Sequence, residues 1–239
     1  MLVTILESFA GQKNPDELVP VDSPASDNAL HTEQEYFVAI VGAGQAGLSL
    51  AGRLQALNIS YVLIERNKRI GDNWTSRYDS IRQHTTKEMN NLPGDRTWKM
   101  DDPELLSGQD VARGYQEYAR KYGLNIWLRT MFERAEYDKV KNIWTLALSL
   151  SNDDGGSTQL NCRCRHLALA MGGTYATPRM PELKDRELFQ GTVMHSSEFA
   201  NAAKWKGQKG IVIGSGVSAH DIAQDMLDNG VSNFPSFLC

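Results

Sequence analysis

The run VAIVGAGQAGLSLAGRLQALNISYVLIE, residues 38–65, constrains this chain more than any other stretch. An apolar segment, YFVAIV (36–41), stops at a glycine, as a buried strand does. Ala46, Leu50, Leu54 and Leu57 then recur at helical spacing, and Asn58 is a helix stop. YVLIE (61–65) reads as a second buried strand. Strand, helix and strand at these lengths make a βαβ unit, whose strands must run parallel.

The turn inside this unit is Gly42-Ala43-Gly44-Gln45-Ala46-Gly47. A GxGxxG pattern between a strand and a helix is the setting in which it binds a dinucleotide. Gly42 permits the tight turn, Gly44 lets the backbone approach a pyrophosphate, and Gly47 lets helix and strand pack closely. The helix start supplies unpaired N–H groups for phosphate. Glu65 ends the next strand, where a carboxylate accepts the two hydroxyls of an adenosine ribose. It disfavours a 2′-phosphate, so FAD or NAD is expected here rather than NADP.

The same unit recurs 172 residues later in GIVIGSGVSAHDIAQDMLDNGVSNFPSF. Gly42 falls on Gly214, Gly44 on Gly216, Gly47 on Ala219, Ala51 on Ala223 and Leu54 on Met226. Gly214-Ser215-Gly216-Val217-Ser218-Ala219 is therefore a second candidate nucleotide turn, with the alanine that the pattern permits at its third position. The repeat weakens at about residue 233. Leu63 falls on Pro235, and proline is excluded from central strands. The second unit is thus expected to abandon its second strand and to leave an unpaired sheet edge. Such an edge favours an oligomer or a covering partner.

Between the repeats, residues 66–109 lack periodicity and are rich in Gly, Asp, Asn, Pro and Arg. Loops of that length are usually functional. Residues 110–122 read as a helix with Tyr115, Tyr118 and Ala119 on one face, and LNIW (124–127) as a strand. Runs at 131–140, 143–150 and 158–170, with a turn signal at Asn152–Gly156, predict an antiparallel meander whose last strand rejoins the main sheet. Residues 1–35, with Pro15, Pro20 and Pro24, read as a short helix and a linker.

Composition excludes several classes. The 239 residues carry a net charge of −4, which argues against nucleic acid or anionic membrane as the main partner. No apolar run approaches the ~20 residues of a membrane span. No basic residue precedes the apolar start, so no secretory leader is expected and a cytoplasmic location fits. The three cysteines, Cys162, Cys164 and Cys239, give no disulfide framework, and no metal site is expected. Cys162 and Cys164 should share one strand face.

Further motifs carry a resemblance. GDNW (71–74), with Asn73 and Trp74, lies where a loop would wrap a cofactor. RIGDNW resembles a GGxW loop, and HTTKEM (84–89) resembles an Asn-Thr-Ser-Lys-Glu-Met run with His84 in place of asparagine. FQGTVMHSSEF fits FxGxxxHxxx(Y/F) at Phe189, Gly191, His195 and Phe199. LALAMGGTYATPRMP resembles an ATGxxxxPxxP linker, with Met171 for threonine. Together with the two glycine turns, these motifs resemble the class B flavin-dependent monooxygenases, the group of flavin-containing and indole-pyruvate monooxygenases. The N-terminal MLVTILESFAG is similar to the region upstream of the flavin domain in larger fungal members.

The resemblance implies an α/β, two-dinucleotide-binding-domain flavoprotein fold: a Rossmann-type parallel sheet, a small antiparallel β-meander and an incomplete second nucleotide domain. Its divisions would be an extension over 1–35, an FAD-binding part over 36–175 and the start of an NADP-binding domain over 176–239. It implies FAD at Gly42–Gly47, Glu65, Arg66, Asn73 and Trp74, and NADPH at Gly214–Ala219. It also implies oxygen transfer from O2 to a small organic substrate through a flavin C4a-hydroperoxide, with His84 placed to hydrogen-bond that species. His195 and Phe199 would shape the link between the two nucleotide units. Phe199 stands where Baeyer–Villiger enzymes carry tryptophan, which favours heteroatom or decarboxylative oxidation, in a secondary-metabolism setting. Members continue well beyond this length, so a truncated, inactive fragment or a nucleotide-binding module without turnover is the alternative. A disulfide reductase would also carry two such turns, but it needs a CxxC, and Cys162-x-Cys164 is not one.

Overall fold

The computed structural model describes residues 35–172 and 178–231, and the backbone of 236–237. The linker expected over 1–35, part of the 172–182 crossing and Pro235 lie outside these residues, apart from Glu35 and the ends of the crossing.

A six-stranded sheet in the order β3-β2-β1-β6-β5-β4 organises the first unit. Strand β1 (Glu35–Val41) pairs in parallel with β2 (Tyr61–Ile64) on one side and with β6 (Ser157–Leu169) on the other. Strand β3 (Ile126–Trp127) extends the parallel part beyond β2. Strands β4 (Thr130–Asp138) and β5 (Ile143–Ser151) form the antiparallel meander with the first half of β6. Thirteen residues of β6 serve both parts, because its second half is the parallel neighbour of β1. Connections leave β1 towards β2 on one side while β6 closes the other. The carboxyl end of β1 is therefore a topological switch point, where open α/β sheets bind ligands.

Helix α1 (Gln45–Ala56) and helix α3 (Gly108–Lys121) cover one sheet face, and the short helix α2 (Asp72–Thr75) packs on α3. Val38, Ile40 and Leu63 meet Leu48, Ala51, Leu54, Val111, Tyr115 and Tyr118 in this layer. Period-two alternation sends Ala39, Val62 and Ile64 to the opposite face, with Trp127, Leu146, Leu148 and Leu160. The start of α3 at Gly108 is set by a capping box. Ser107 Oγ accepts from the Asp110 backbone N–H, and the Asp110 carboxylate accepts from the Ser107 backbone.

Cys162 and Cys164 both lie in the second layer, one strand period apart on one face. Burial pushes the Cys162 thiol up to about 12, with Cys164 beside it adding to the rise, and pushes Cys164 up to about 11. Burial likewise drives the Tyr115 and Tyr118 phenols up to about 12. In an unfolded chain these thiols and phenols ionise near their ordinary values of about 8.5 and about 10. The folded chain therefore holds more protons than the unfolded one from roughly pH 8.5 upward, and it loses stability as pH rises through the window to about 12. Urea unfolding midpoints should fall steadily from pH 8 to pH 11, and both thiols should react with Ellman's reagent only after unfolding. A midpoint that does not move over this range would contradict the packing.

The second unit is small. Strand β7 (Val212–Ile213) leads through the glycine turn into helix α4 (Val217–Asp228), and β8 (Ser236–Phe237) returns parallel to β7. The expected loss of this strand is thereby corrected, since Val212 pairs with Ser236 and Ile213 with Phe237. Tyr78, Ile81, Phe199, Ala202, Ile222 and Val231 form a third apolar cluster, which joins the two units.

Candidate functional site

The first glycine turn is closed on two sides and open on the third. Gly42 has φ +105°, and a Cβ there would stand 2.4 Å from the Ala170 carbonyl oxygen at the end of β6. A Cβ on Gly47 would stand 1.8 Å from the Gly42 carbonyl oxygen. Gly44 differs from both. Its backbone is extended, with φ −82° and ψ −170°, and beyond its own chain neighbours no heavy atom of the described residues lies within 4 Å of where its Cβ would be. The fold therefore gives no steric reason of its own for glycine at position 44. The vacant space lies at the N-cap of α1, where, among the described residues, no side chain caps the helix and no acid stands in its first turn. Gln45 and Ala46 are exposed beside it, while Ala43 is buried.

Glu65 braces this turn from the end of β2. One carboxylate oxygen accepts from the Ala43 backbone N–H at 2.8 Å. The other accepts from the Asn67 backbone N–H at 2.9 Å and its Nδ2 at 2.7 Å. Three of the carboxylate's four lone pairs are thus engaged, and the oxygen that meets Ala43 keeps one for a ribose hydroxyl. Asn67 was not legible as a partner of Glu65 from spacing. Arg66 is exposed and lines an open recess of about 330 Å³ with Lys68, Arg129 and Asp153, in which Asp153 pairs with the Arg129 guanidinium. A recess of similar volume beside Trp98 and Tyr122 shares no lining residue with either glycine turn. A vacant glycine cradle, an uncapped helix start and a carboxylate at the strand end together fit the diphosphate and ribose of a dinucleotide.

Trp74 is half-buried between the first and third apolar clusters, with the Arg77 guanidinium 5.1 Å from its ring centre. Asn73 is exposed, and its carbonyl accepts from Arg77. Gly71 has φ +85°, and a Cβ there would meet Ala112 of α3 at about 2.5 Å, which sets how closely this loop docks. Lys87, in the HTTKEM run, is buried with its ammonium cupped by the carbonyls of Lys99, Met100 and Asp102. It staples the 99–102 loop in place.

The second turn repeats the geometry more loosely. Gly214 has φ +129°, and beyond their own chain neighbours neither it nor Gly216 has a heavy atom of the described residues within 4 Å of a Cβ position. Ser215 and Val217 are exposed, and Ser218 and Ala219 are half-buried. No side chain caps α4 and no acid stands in its first turn, among the described residues.

His84 does not stand free. Its Nε2 lies 2.9 Å from the Asp221 carboxylate on α4, and the Tyr78 hydroxyl donates to the other oxygen of that carboxylate at 2.8 Å. Sequence reasoning missed Tyr78 and Asp221, which are 143 residues apart. The motif Phe189–Phe199 is a junction. The Phe189 ring covers Gly191, where a Cβ would stand 2.6 Å from it. His195 Nδ1 accepts from the Ser197 N–H and caps a 3₁₀ turn over Ser196–Glu198. That turn delivers Phe199 into the third cluster, stacked on Trp205 at 5.8 Å and edge-on to Tyr78 at 6.5 Å. The structure thus brings His84 and Phe199 to the junction of the two units, while Phe189 stays exposed.

No helix among the described residues is long and apolar enough to cross a membrane. Comparison with known proteins agrees with this geometry. A protein-family model described as pyridine nucleotide-disulphide oxidoreductase matches residues 39–232. The indole-3-pyruvate monooxygenase YUCCA8 of Oryza sativa subsp. indica is 30% identical over 198 residues, which are 82% of this chain and 47% of that protein. The chain therefore spans about half the length of this relative. A flavin-containing monooxygenase from Stenotrophomonas maltophilia superposes with a TM-score of 0.69 at 21% identity, over 84% of this chain and 57% of that one. A bacillithiol disulfide reductase from Bacillus cereus superposes with a TM-score of 0.68 at 18% identity, over 83% and 57%. These two likenesses carry the fold, that of flavoproteins with two dinucleotide-binding domains. The chain belongs to the pyridine nucleotide-disulphide oxidoreductase family, on its flavin-dependent monooxygenase side.

Proposed function

We propose that this chain binds FAD at its first glycine turn and NADPH at its second, as part of a monooxygenase acting on a small organic molecule. The vacancy at Gly44 carries the reading. Glycine there serves a ligand rather than the fold, and the uncapped start of α1 offers that ligand N–H donors and positive potential. Glu65 holds the ribose end and keeps the turn in shape through Ala43. Its negative charge favours a ribose without a 2′-phosphate at this turn, leaving the phosphorylated nucleotide to the second.

Bound flavin, reduced by NADPH, would supply the oxygen chemistry: one atom of O2 passes to the substrate and the other leaves as water. The protein's part is to bind, orient and exclude water. Trp74 packs against both the first and the third cluster, and the third cluster keeps the two nucleotide units in contact.

Purified chain reconstituted with FAD should show a flavin absorbance spectrum and consume O2 on addition of NADPH. Flavin binding without NADPH-dependent oxygen uptake would make the chain a flavin-binding module. No flavin binding would overturn the reading.

A further inference from the structure

We propose that Asp221 is a positioning residue that sets the reach and angle of the second nucleotide turn against the first unit. It does so by holding Tyr78 and His84 on its two carboxylate oxygens. The inference rests on the functional reading above, but its geometric part stands without any cofactor.

Asp221 lies one turn inside α4, and its side chain is only 15% exposed. Both oxygens are engaged, Oδ2 by the Tyr78 hydroxyl and Oδ1 by His84 Nε2, and both donors come from the loop after α2. A hydroxyl donor to a carboxylate is among the stronger hydrogen bonds of a protein. Burial, reinforced by the carboxylate, pushes the Tyr78 phenol up to about 12, so it remains a donor at neutral pH. One helical turn further on, Asp225 accepts from the Ala202 N–H at 2.8 Å. Asp79, next to Tyr78, completes the belt through the Ala200 carbonyl and Asn201. Two acids four residues apart lie on one face of α4, so these bonds fix the helix's rotation as well as its distance. The turn Gly214–Gly216 leads straight into α4 and moves with it.

Ile222 and Phe199 supply apolar contact at the same junction, but such contact is non-directional. The carboxylate adds direction. Hydride transfer between two bound cofactors needs reacting atoms roughly 3–3.5 Å apart, and a misplacement of about 1 Å can cost about 100-fold in rate.

The test uses spin labels at Leu57→Cys and Leu227→Cys, both exposed at the ends of α1 and α4, in a Cys239→Ser background. The parent should give one narrow distance distribution. Asp221→Ala should broaden it or add a second population, and Asp221→Glu should restore part of the order. Tyr78→Phe keeps the ring against Phe199 and removes only the hydroxyl, so it decides the matter if Asp221→Ala fails to fold. With cofactors, flavin affinity should stay within about threefold while the rate of flavin reduction by NADPH falls about 100-fold. Narrow, unshifted distributions in the folded Asp221→Ala or Tyr78→Phe variants would overturn the proposal. Failure of the parent to bind flavin would instead overturn the functional reading and leave the distance result intact.

Discussion

Gly47→Ala should unfold the glycine turn and abolish flavin retention in one step. The added Cβ would stand 1.8 Å from the Gly42 carbonyl oxygen and 3.2 Å from the Leu63 side chain. The carbonyl cannot retreat easily. Gly42 already occupies φ +105°, its N–H donates to the Ile64 carbonyl at 2.7 Å, and its own Cα faces the Ala170 carbonyl. Relief must come from moving α1 off the sheet, which opens the layer containing Leu48, Ala51 and Leu54. Overpacking in a core costs about 1–3 kcal/mol, and a backbone target puts this case at or above the top of that range. For a chain of this length each kcal/mol lowers Tm by about 2–4 °C, so a fall of about 10 °C is expected by calorimetry. A melting temperature within a degree of the parent would show that the turn is not wedged as described. The second unit carries Ala219 at the equivalent position, so the same Cβ is native there.

Much of this fold was legible in the sequence because its signals are local. The apolar run before Gly42, the helical spacing of Leu50 and Leu54, and the alternation of Leu160, Cys162 and Cys164 each report a face without reference to distant residues. The return of β6 to the main sheet followed from one long run after a turn signal. The exact start of α3 was readable too, in the Ser107-x-x-Asp110 pattern, but the periodicity of its tyrosines drew the boundary two residues late. The residue type of Pro235 argued against a second strand in the second unit, whereas Ser236 and Phe237 pair with Val212 and Ile213.

The junction was not legible. Tyr78 and His84 lie in a loop without periodicity, and Asp221 reads as an ordinary polar position on a helix. Only folding brings them together. The same holds for Lys87, whose three carbonyl partners come from a loop with no pattern of its own.

Gly44→Asp separates ligand from fold. The backbone at this position is extended, and the space around a new Cβ is open, so the fold accepts the side chain. Aspartate is a preferred N-cap and complements the helix dipole, adding about 0.3–1 kcal/mol to stability. For a bound diphosphate the substitution acts in the opposite direction. It fills the space that the phosphates would take, places a negative charge against them, and competes for the same N–H donors. Flavin affinity should fall at least about 100-fold, equivalent to about 2.7 kcal/mol.

The decisive measurement is a fluorescence titration of FAD into the parent chain and the Gly44→Asp variant, with thermal melts of both. Saturable binding by the parent, its loss in the variant and an equal or higher melting temperature of the variant are the predicted results. Equal FAD affinity in the two proteins, or none in the parent, would contradict the assignment of the first glycine turn to the flavin.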